Sequence, residues 1–257
     1  MALRNLNEVY GDTPRFHARL VDLSGVKTGH RVLDLGCGAG NSLPPLLARA
    51  SEVVALDVNP NFLKTASATN EAAVASGQLR VVEADAAKGL PFDDGSFDAV
   101  ICQNMLECLP PESHQGLIQE VLRSLKGGGR FLLAHHDFAG TILHSRNDSL
   151  TRQLISAFSS QAQEWMASAD GAIGRKLPGL LSKAGFSGLE TKIEPMVALE
   201  FQNNSNAEGY CRDLASAGAK AGVAAKELED WHRDLLTLDG EDAFFLAIPW
   251  IYVLARK

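Results

Sequence analysis

RVLDLGCGAGN, residues 31–41, reads as a buried strand (Val32, Leu33, Leu35) that runs into glycines at three alternate positions, Gly36, Gly38 and Gly40, and then into a helix. Glycines so spaced let the backbone turn through positive φ and bring its amides close to a ligand. The pattern is that of a nucleotide-type binding loop. The helix end beyond it is expected to carry unpaired N–H groups that suit an anionic or hydroxyl-rich ligand. A dinucleotide fingerprint requires GxGxxG, whereas the register from Gly36 is Gly, Cys, Gly, Ala, Gly, Asn, with Asn41 where the last glycine belongs. Asp34, a carboxylate near the end of an apolar strand, is costly unless it meets a donor or a cation. A glycine-rich turn with no ligand is the competing reading, and the rest of the chain arbitrates.

Outward from the loop, Leu43, Leu46 and Leu47 fall at helical spacing despite Pro44 and Pro45. Val53 to Leu56 is a second apolar strand and ends in Asp57. A carboxylate there accepts hydrogen bonds from both hydroxyls of a ribose; its alternative role, capping the helix that begins near Pro60, is already available to Asn59. A third strand, Gln78 to Glu83, ends in Glu83, Ala84, Asp85 and Ala86, and a fourth, Phe97 to Gln103, in Asn104 and Met105. Ser113 to Leu125 forms a helix face that Gly127, Gly128 and Gly129 terminate, and Arg130 to Ala134 make strand five.

Asp34, Gly36, Gly38 and Gly40 match the pattern DxGxGxG, and here the chain resembles motif I of the class I S-adenosylmethionine-dependent methyltransferases, a likeness that covers roughly residues 28–137. The resemblance implies a fold, a cofactor and a site. The fold is α/β, a doubly wound, seven-stranded, mostly parallel sheet of order 3-2-1-4-5-7-6 with strand 7 antiparallel, and with helical cap insertions after strands 5 and 6. The cofactor is S-adenosyl-L-methionine, released as S-adenosyl-L-homocysteine. Asp57 with Val58 meets the ribose side of the donor and Asp85 with Ala86 the adenine side. Gln103, Asn104 and Met105, in the phrase FDAVICQNMLECLP, border the methionine moiety. Cys37 and Asn41 complete the loop, Cys37 as a small residue chosen for space. Tyr10, in an N-terminal segment folded over the donor, offers an aromatic face to the sulfonium or serves as a packed anchor. The family's LKPGGR junction is LKGGGR here, a change confined to the turn.

The 257 residues fit one domain: a core of about 28–137, 186–201 and 243–257, with caps of about 138–185 and 203–240. In order these add a helix over Thr13–Leu23, with Thr13 as its N-cap, and helices over Ser149–Met166 and Arg175–Ala184. A strand near Leu189–Ile193 follows, continued by Val197–Phe201, then two alanine-rich helices and a last strand over Trp250–Ala255. A net charge of −7 and a pI near 5.5 argue against an extended phosphate-backbone contact and favour a small-molecule partner over nucleic acid. Cys37, Cys102, Cys108 and Cys211 have no CxxC or zinc spacing, so reduced thiols in the cytoplasm are expected. The start MALRNLNEVYGD has no apolar core of a signal peptide, and the apolar run over Ala243–Ala255 is too short to span a bilayer, so no membrane partner is expected.

An activated methyl needs little more than a nucleophile held in line and water kept out. An acceptor hydroxyl or amine also has to lose a proton, and His135 and His136, just after strand five, are the candidate catalytic residues. Neighbours on an extended segment point opposite ways, so one of them faces the pocket and the other is structural. The run His135, His136, Asp137 with His144 also permits a metal, but its spacing matches no known motif and no metal is expected. His17, His30, His114 and His232 read as solvated. The favoured function is methylation of an oxygen or nitrogen of a small, largely apolar or aromatic molecule. The alternatives are carbon methylation of a quinone-like ring and a donor-binding protein without catalysis; an NAD-dependent oxidoreductase is disfavoured by the glycine register and Asp34.

Overall fold

In a computed structural model of the chain, residues 14–162, 166–202 and 205–257 are described. The sheet runs β3 (Leu79–Glu83), β2 (Glu52–Asp57), β1 (Arg31–Leu35), β4 (Phe97–Gln103), β5 (Leu125–His136), β8 (Leu246–Arg256) and β6 (Ile142–Leu143), with β7 (Ser187–Ala198) also paired to β8. The expected order 3-2-1-4-5-7-6 is therefore present, its sixth and seventh strands being β7 and β8. β6, a two-residue strand antiparallel to β8, had no signature in the sequence. Asp137 N donates to Pro249 O (2.9 Å) and Lys257 N to Gly129 O (3.0 Å). Residue numbers thus rise along β5 as they fall along β8, which makes that pair antiparallel as well.

By contacts the chain divides into two compact units. The first comprises Pro14–His135, Arg175–Lys192 and Tyr252–Lys257. It holds the parallel strands β1 to β4, and the inner ones, β1, β2 and β4, are near-continuous apolar runs because helices cover both faces. The helices are α1 (Pro14–Ser24), α2 (Leu43–Leu47), α3 (Pro60–Thr69), α4 (Glu71–Ala75), α5 (Pro111–Ser124) and α7 (Leu177–Ala184). Register aligns the strand ends: Leu35 sits opposite Leu56 and Cys102, Asp57 opposite Glu83, and Gln103 opposite Ala134. Everything that follows β1 to β5 in sequence therefore emerges at one edge. Between β1 and β4 the winding reverses, which opens the crevice where α/β sheets take ligands.

The second unit includes His136–Gly174 and Ile193–Ile251. Its helices α6 (Asp148–Ser159), α8 (Ser205–Lys220) and α9 (Ala225–Gly240) close on a core of Phe138, Leu154, Phe158, Tyr210, Leu214 and Trp231. Trp231 Nε1 donates to Thr151 Oγ1 at 2.8 Å, so the buried indole is satisfied inside that core.

Several boundaries differ from the sequence reading. Helix α5 stops at Ser124, where Leu125 takes extended angles, and Gly127, Gly128 and Gly129 lie within β5 instead of ending the helix. Helix α6 ends at Ser159, where Ser160 leaves helical geometry, short of the longer helix expected. The last strand begins at Leu246, four residues early, because Pro249 uses its carbonyl and has no N–H to leave unpaired. Thr13 and Tyr10 lie outside the described residues.

Candidate active site

The glycine loop is held from below. Gly36 N and Cys37 N both donate to Leu56 O (2.8 and 3.0 Å), Gly38 N donates to Asp57 Oδ2 (2.9 Å), and Gly40 N to Cys37 O (3.0 Å). Gly36, Gly38 and Gly40 have φ of +75°, +52° and +90°, which an L side chain would strain. A Cβ on Gly36 would lie 2.6 Å from Met105 Sδ, so Met105 fills the space that only glycine leaves there. Over Gly38 nothing lies within 4 Å of the Cβ position, so the loop forms an open cradle there. The expected ring of free helix amides is not built: α2 has five residues, two of them are Pro44 and Pro45, and Leu43 N donates to Gly40 O (3.1 Å). The loop thus presents backbone surface and a carboxylate instead of a helix N-terminus. Cys37 is buried, desolvation pushes its thiol up, and it packs as a small residue.

Asp57 takes Gly38 N on Oδ2 and Asn59 N on Oδ1, both at 2.9 Å. Each carboxylate oxygen keeps a second lone pair, enough for two ribose hydroxyls. Asn59, not Asp57, caps α3, through Asn61 N. Val58 beside it is 62% exposed, an apolar surface unusual next to a loop of amides. Asp85 caps the short turn Ala86–Lys88 through Ala87 N (3.0 Å) and pairs with Lys88 Nζ (3.1 Å), and these contacts lower its pKa, that with Lys88 the most. Ala86 is buried behind it and Asn41 is exposed at the loop's end.

Asp34 is buried beneath the loop and accepts from Ser42 Oγ. Burial raises its carboxyl to about 6; the Ser42 bond and the charge of His17 draw it back. Sequence reasoning missed Ser42 and treated His17 as solvated, whereas His17 is buried on α1. At the next strand end Asn104 has φ +48°, one of two non-glycine residues in that region among the described residues, and its N–H donates to Ala134 O (3.0 Å). Asn tolerates this region better than other side chains because its short amide bonds locally. Gln103 and Met105 flank it, half-buried.

His135 is buried at the end of β5, with Nε2 3.8 Å from Glu107 Oε2. Glu107 follows Met105 on the turn Leu106–Cys108, and burial raises its carboxyl to about 7. That turn is pinned by His114, also read as solvated but buried: its Nε2 lies 2.8 Å from Leu106 O and 3.2 Å from Leu109 O. Carbonyls only accept, so that nitrogen carries the proton. Glu107 was not among the predicted residues; a lone acid in the apolar phrase NMLECLP was its only signal. His136, in the second unit, is stacked in an aromatic cluster, 4.0 Å from the Trp250 ring and 5.0 Å from that of Phe138. Among the described residues no group of three or more His, Cys, Asp or Glu is arranged to hold a metal ion, and no helix is long and apolar enough to cross a membrane.

A doubly wound sheet with a glycine loop, an acid at the end of β2 and a left-handed residue after β4 is a Rossmann-like architecture. Residues 33–133 match the family described as "Methyltransferase domain", so this stretch of the chain is similar to S-adenosylmethionine-dependent methyltransferases. Over 116 residues it is 37% identical to the ubiquinone/menaquinone biosynthesis C-methyltransferase UbiE of Pseudomonas paraeruginosa, a stretch amounting to 44% of each protein. The chain thus spans less than half the length of the curated relatives it matches. Among solved structures it is similar to the YcgJ protein of Bacillus subtilis (TM-score 0.63, 19% identity, 95% of this chain and 98% of that one). It is also similar to phosphoethanolamine N-methyltransferase 2 of Haemonchus contortus, solved with phosphomonomethylethanolamine and S-adenosylhomocysteine (TM-score 0.56, 18% identity, 95% and 53%). At such identities the likeness is one of fold.

Proposed function

We propose that the chain binds S-adenosylmethionine at the carboxyl edge of β1 to β4 and transfers its methyl group to an oxygen or nitrogen of a small, largely apolar or aromatic molecule. The observation that carries this reading is the Gly38–Asp57 bond beneath an open cradle: one strand-end acid shapes the loop and retains lone pairs for a ribose. The donor, when bound, supplies a methyl group made electrophilic by its sulfonium. The chain's own residues hold and shield. Asp57 fixes the ribose, the loop backbone lies against the chain of the donor, Val58 offers an apolar face, and Met105 closes the floor over Gly36. Of the two histidines, His135 is the one we assign a part in removing the acceptor's proton, because its Nε2 stands 3.8 Å from Glu107 Oε2; His136 is held by ring stacking. Free cysteines agree with a cytosolic setting, and the acidic balance with a small-molecule partner.

Carbon methylation of a quinone-like ring is the second reading, and the UbiE relatives favour it, although the aligned 116 residues are under half of each protein. Titration calorimetry with S-adenosylhomocysteine, with NAD as control, tests the donor. Micromolar binding of the first with none of the second is expected; binding of NAD alone, or of neither, ends the reading.

A further inference from the structure

Glu107 and His135 form a pair that nothing in the loop motif requires. Both belong to the sheet unit, and β4 and β5 run in register up to Gln103 opposite Ala134, so the turn after β4 and the end of β5 emerge side by side. The Glu107 side chain is 16% exposed and that of His135 1%, so the carboxylate is the member that reaches the surface and the imidazole stands behind it. The turn also lies near the donor loop: Met105 packs on Gly36, and Cys108 feels the charges of both Glu107 and Asp57.

Resting on the donor reading above, we propose that Glu107 and His135 work as one proton-accepting unit for the methyl acceptor, Glu107 touching the acceptor and His135 positioning it. Methylation of an O–H or N–H group liberates one proton. The O–H or N–H bond breaks, its electron pair stays on that atom as the atom gains the methyl, and the pair of the broken carbon–sulfur bond stays on sulfur. The proton passes to the Glu107 carboxylate and leaves to solvent with the product. A carboxylate in water is too weak a base to hold it, and burial corrects that. Among the described residues, the ionisable groups that bear on this turn include Asp57, Cys102, Cys108 and His114. Desolvation and the charges of Glu107 and Asp57 push the Cys108 thiol up to about 12, so it stays neutral, and His114 is committed to the turn's carbonyls.

The test needs no acceptor. S-adenosylmethionine and S-adenosylhomocysteine differ by the methyl and by the positive charge on sulfur. A proton on the pair is repelled by that charge; a displacement of about one pH unit takes a half-protonated pair to about one-tenth protonated. Calorimetry of the full chain at pH 7, with each ligand in two buffers of different ionisation enthalpy, should therefore count about 0.4 proton more released by S-adenosylmethionine. Glu107→Gln should shrink the difference to below about 0.1 proton, with affinity for S-adenosylhomocysteine within about twofold as the check on folding. In the ligand-free protein the same variant should shift the His135 ring resonances in NMR at fixed pH, as expected when a neighbouring carboxylate 3.8 Å away is removed. Equal proton counts with both ligands bound to the wild-type chain overturn this inference alone, and that comparison stands even if the variant does not fold. Failure of both ligands to bind overturns the donor reading and this inference with it.

Discussion

Asp34 makes a prediction that can be worked to a number. It is buried under the glycine loop with one side-chain donor, Ser42 Oγ, and burial raises its carboxyl from 3.8 to about 6. Between those two pH values the folded chain holds a proton that the unfolded chain has released. Stability therefore falls as pH rises through the window, and the loss is complete above about 6. A gap of about two pH units, at about 1.4 kcal/mol each, makes about 3 kcal/mol by which the ionised carboxylate destabilises the fold at neutral pH. Asp34→Asn removes the titration. Its oxygen still accepts from Ser42, while its amide N–H₂, left without an acceptor, costs about 1–3 kcal/mol at every pH. The constant part cancels in the comparison of two pH values. Urea denaturation at pH 4.5 and 7.5 should therefore show the variant gaining about 2 kcal/mol on the wild type between them, the share of the full effect that falls in that interval. A difference between variant and wild type that is the same at both pH values, within about 0.5 kcal/mol, would falsify the claim that folding changes the proton affinity of Asp34.

Three further outcomes are expected. Asp57→Ala should weaken S-adenosylhomocysteine binding by about 1–3 kcal/mol through lost charged hydrogen bonds; unchanged affinity in calorimetry removes Asp57 from the site. Gly36→Ala should destabilise by about 2–4 kcal/mol, combining left-handed strain with overpacking on Met105, and adding Met105→Ala should cancel the overpacking while about 1 kcal/mol of strain persists. Full rescue by the second substitution in chemical denaturation would mean that φ is not constrained there. Trp231→Phe should cost about 1–2 kcal/mol by leaving Thr151 Oγ1 without its indole donor, and an unchanged melting curve would show that Ser145 alone satisfies that hydroxyl.

What was legible in the chain was what local sequence determines. Parallel inner strands cannot alternate, because both faces are covered, so Val32–Leu35, Val53–Leu56 and Phe97–Cys102 stand out as apolar runs. The residues at their ends fall at one edge by register alone, so Asp57, Asp85 and Asn104 emerge at the same edge of the sheet as the loop. The loop's floor was not legible. Ser42 meets Asp34 eight residues away through a turn whose shape depends on three positive φ values, and Met105 reaches Gly36 only because β4 lies next to β1. His17 and His114 fall on the same helical stripes as Leu20 and Val21 and as Leu117, Ile118 and Val121, so spacing placed both on buried faces and only their polar type made them read as solvated. The same reasoning separates donor from acceptor. A donor is held by backbone geometry and strand-end acids, features that short motifs encode. Proton transfer, as proposed, depends on Glu107, on the turn after β4, and His135, at the end of β5, which come within 3.8 Å only once the sheet has formed. For that reason the acceptor's chemistry is to be sought by titrating this pair, where two residues from distant parts of the chain share a buried environment, and not by extending the glycine motif.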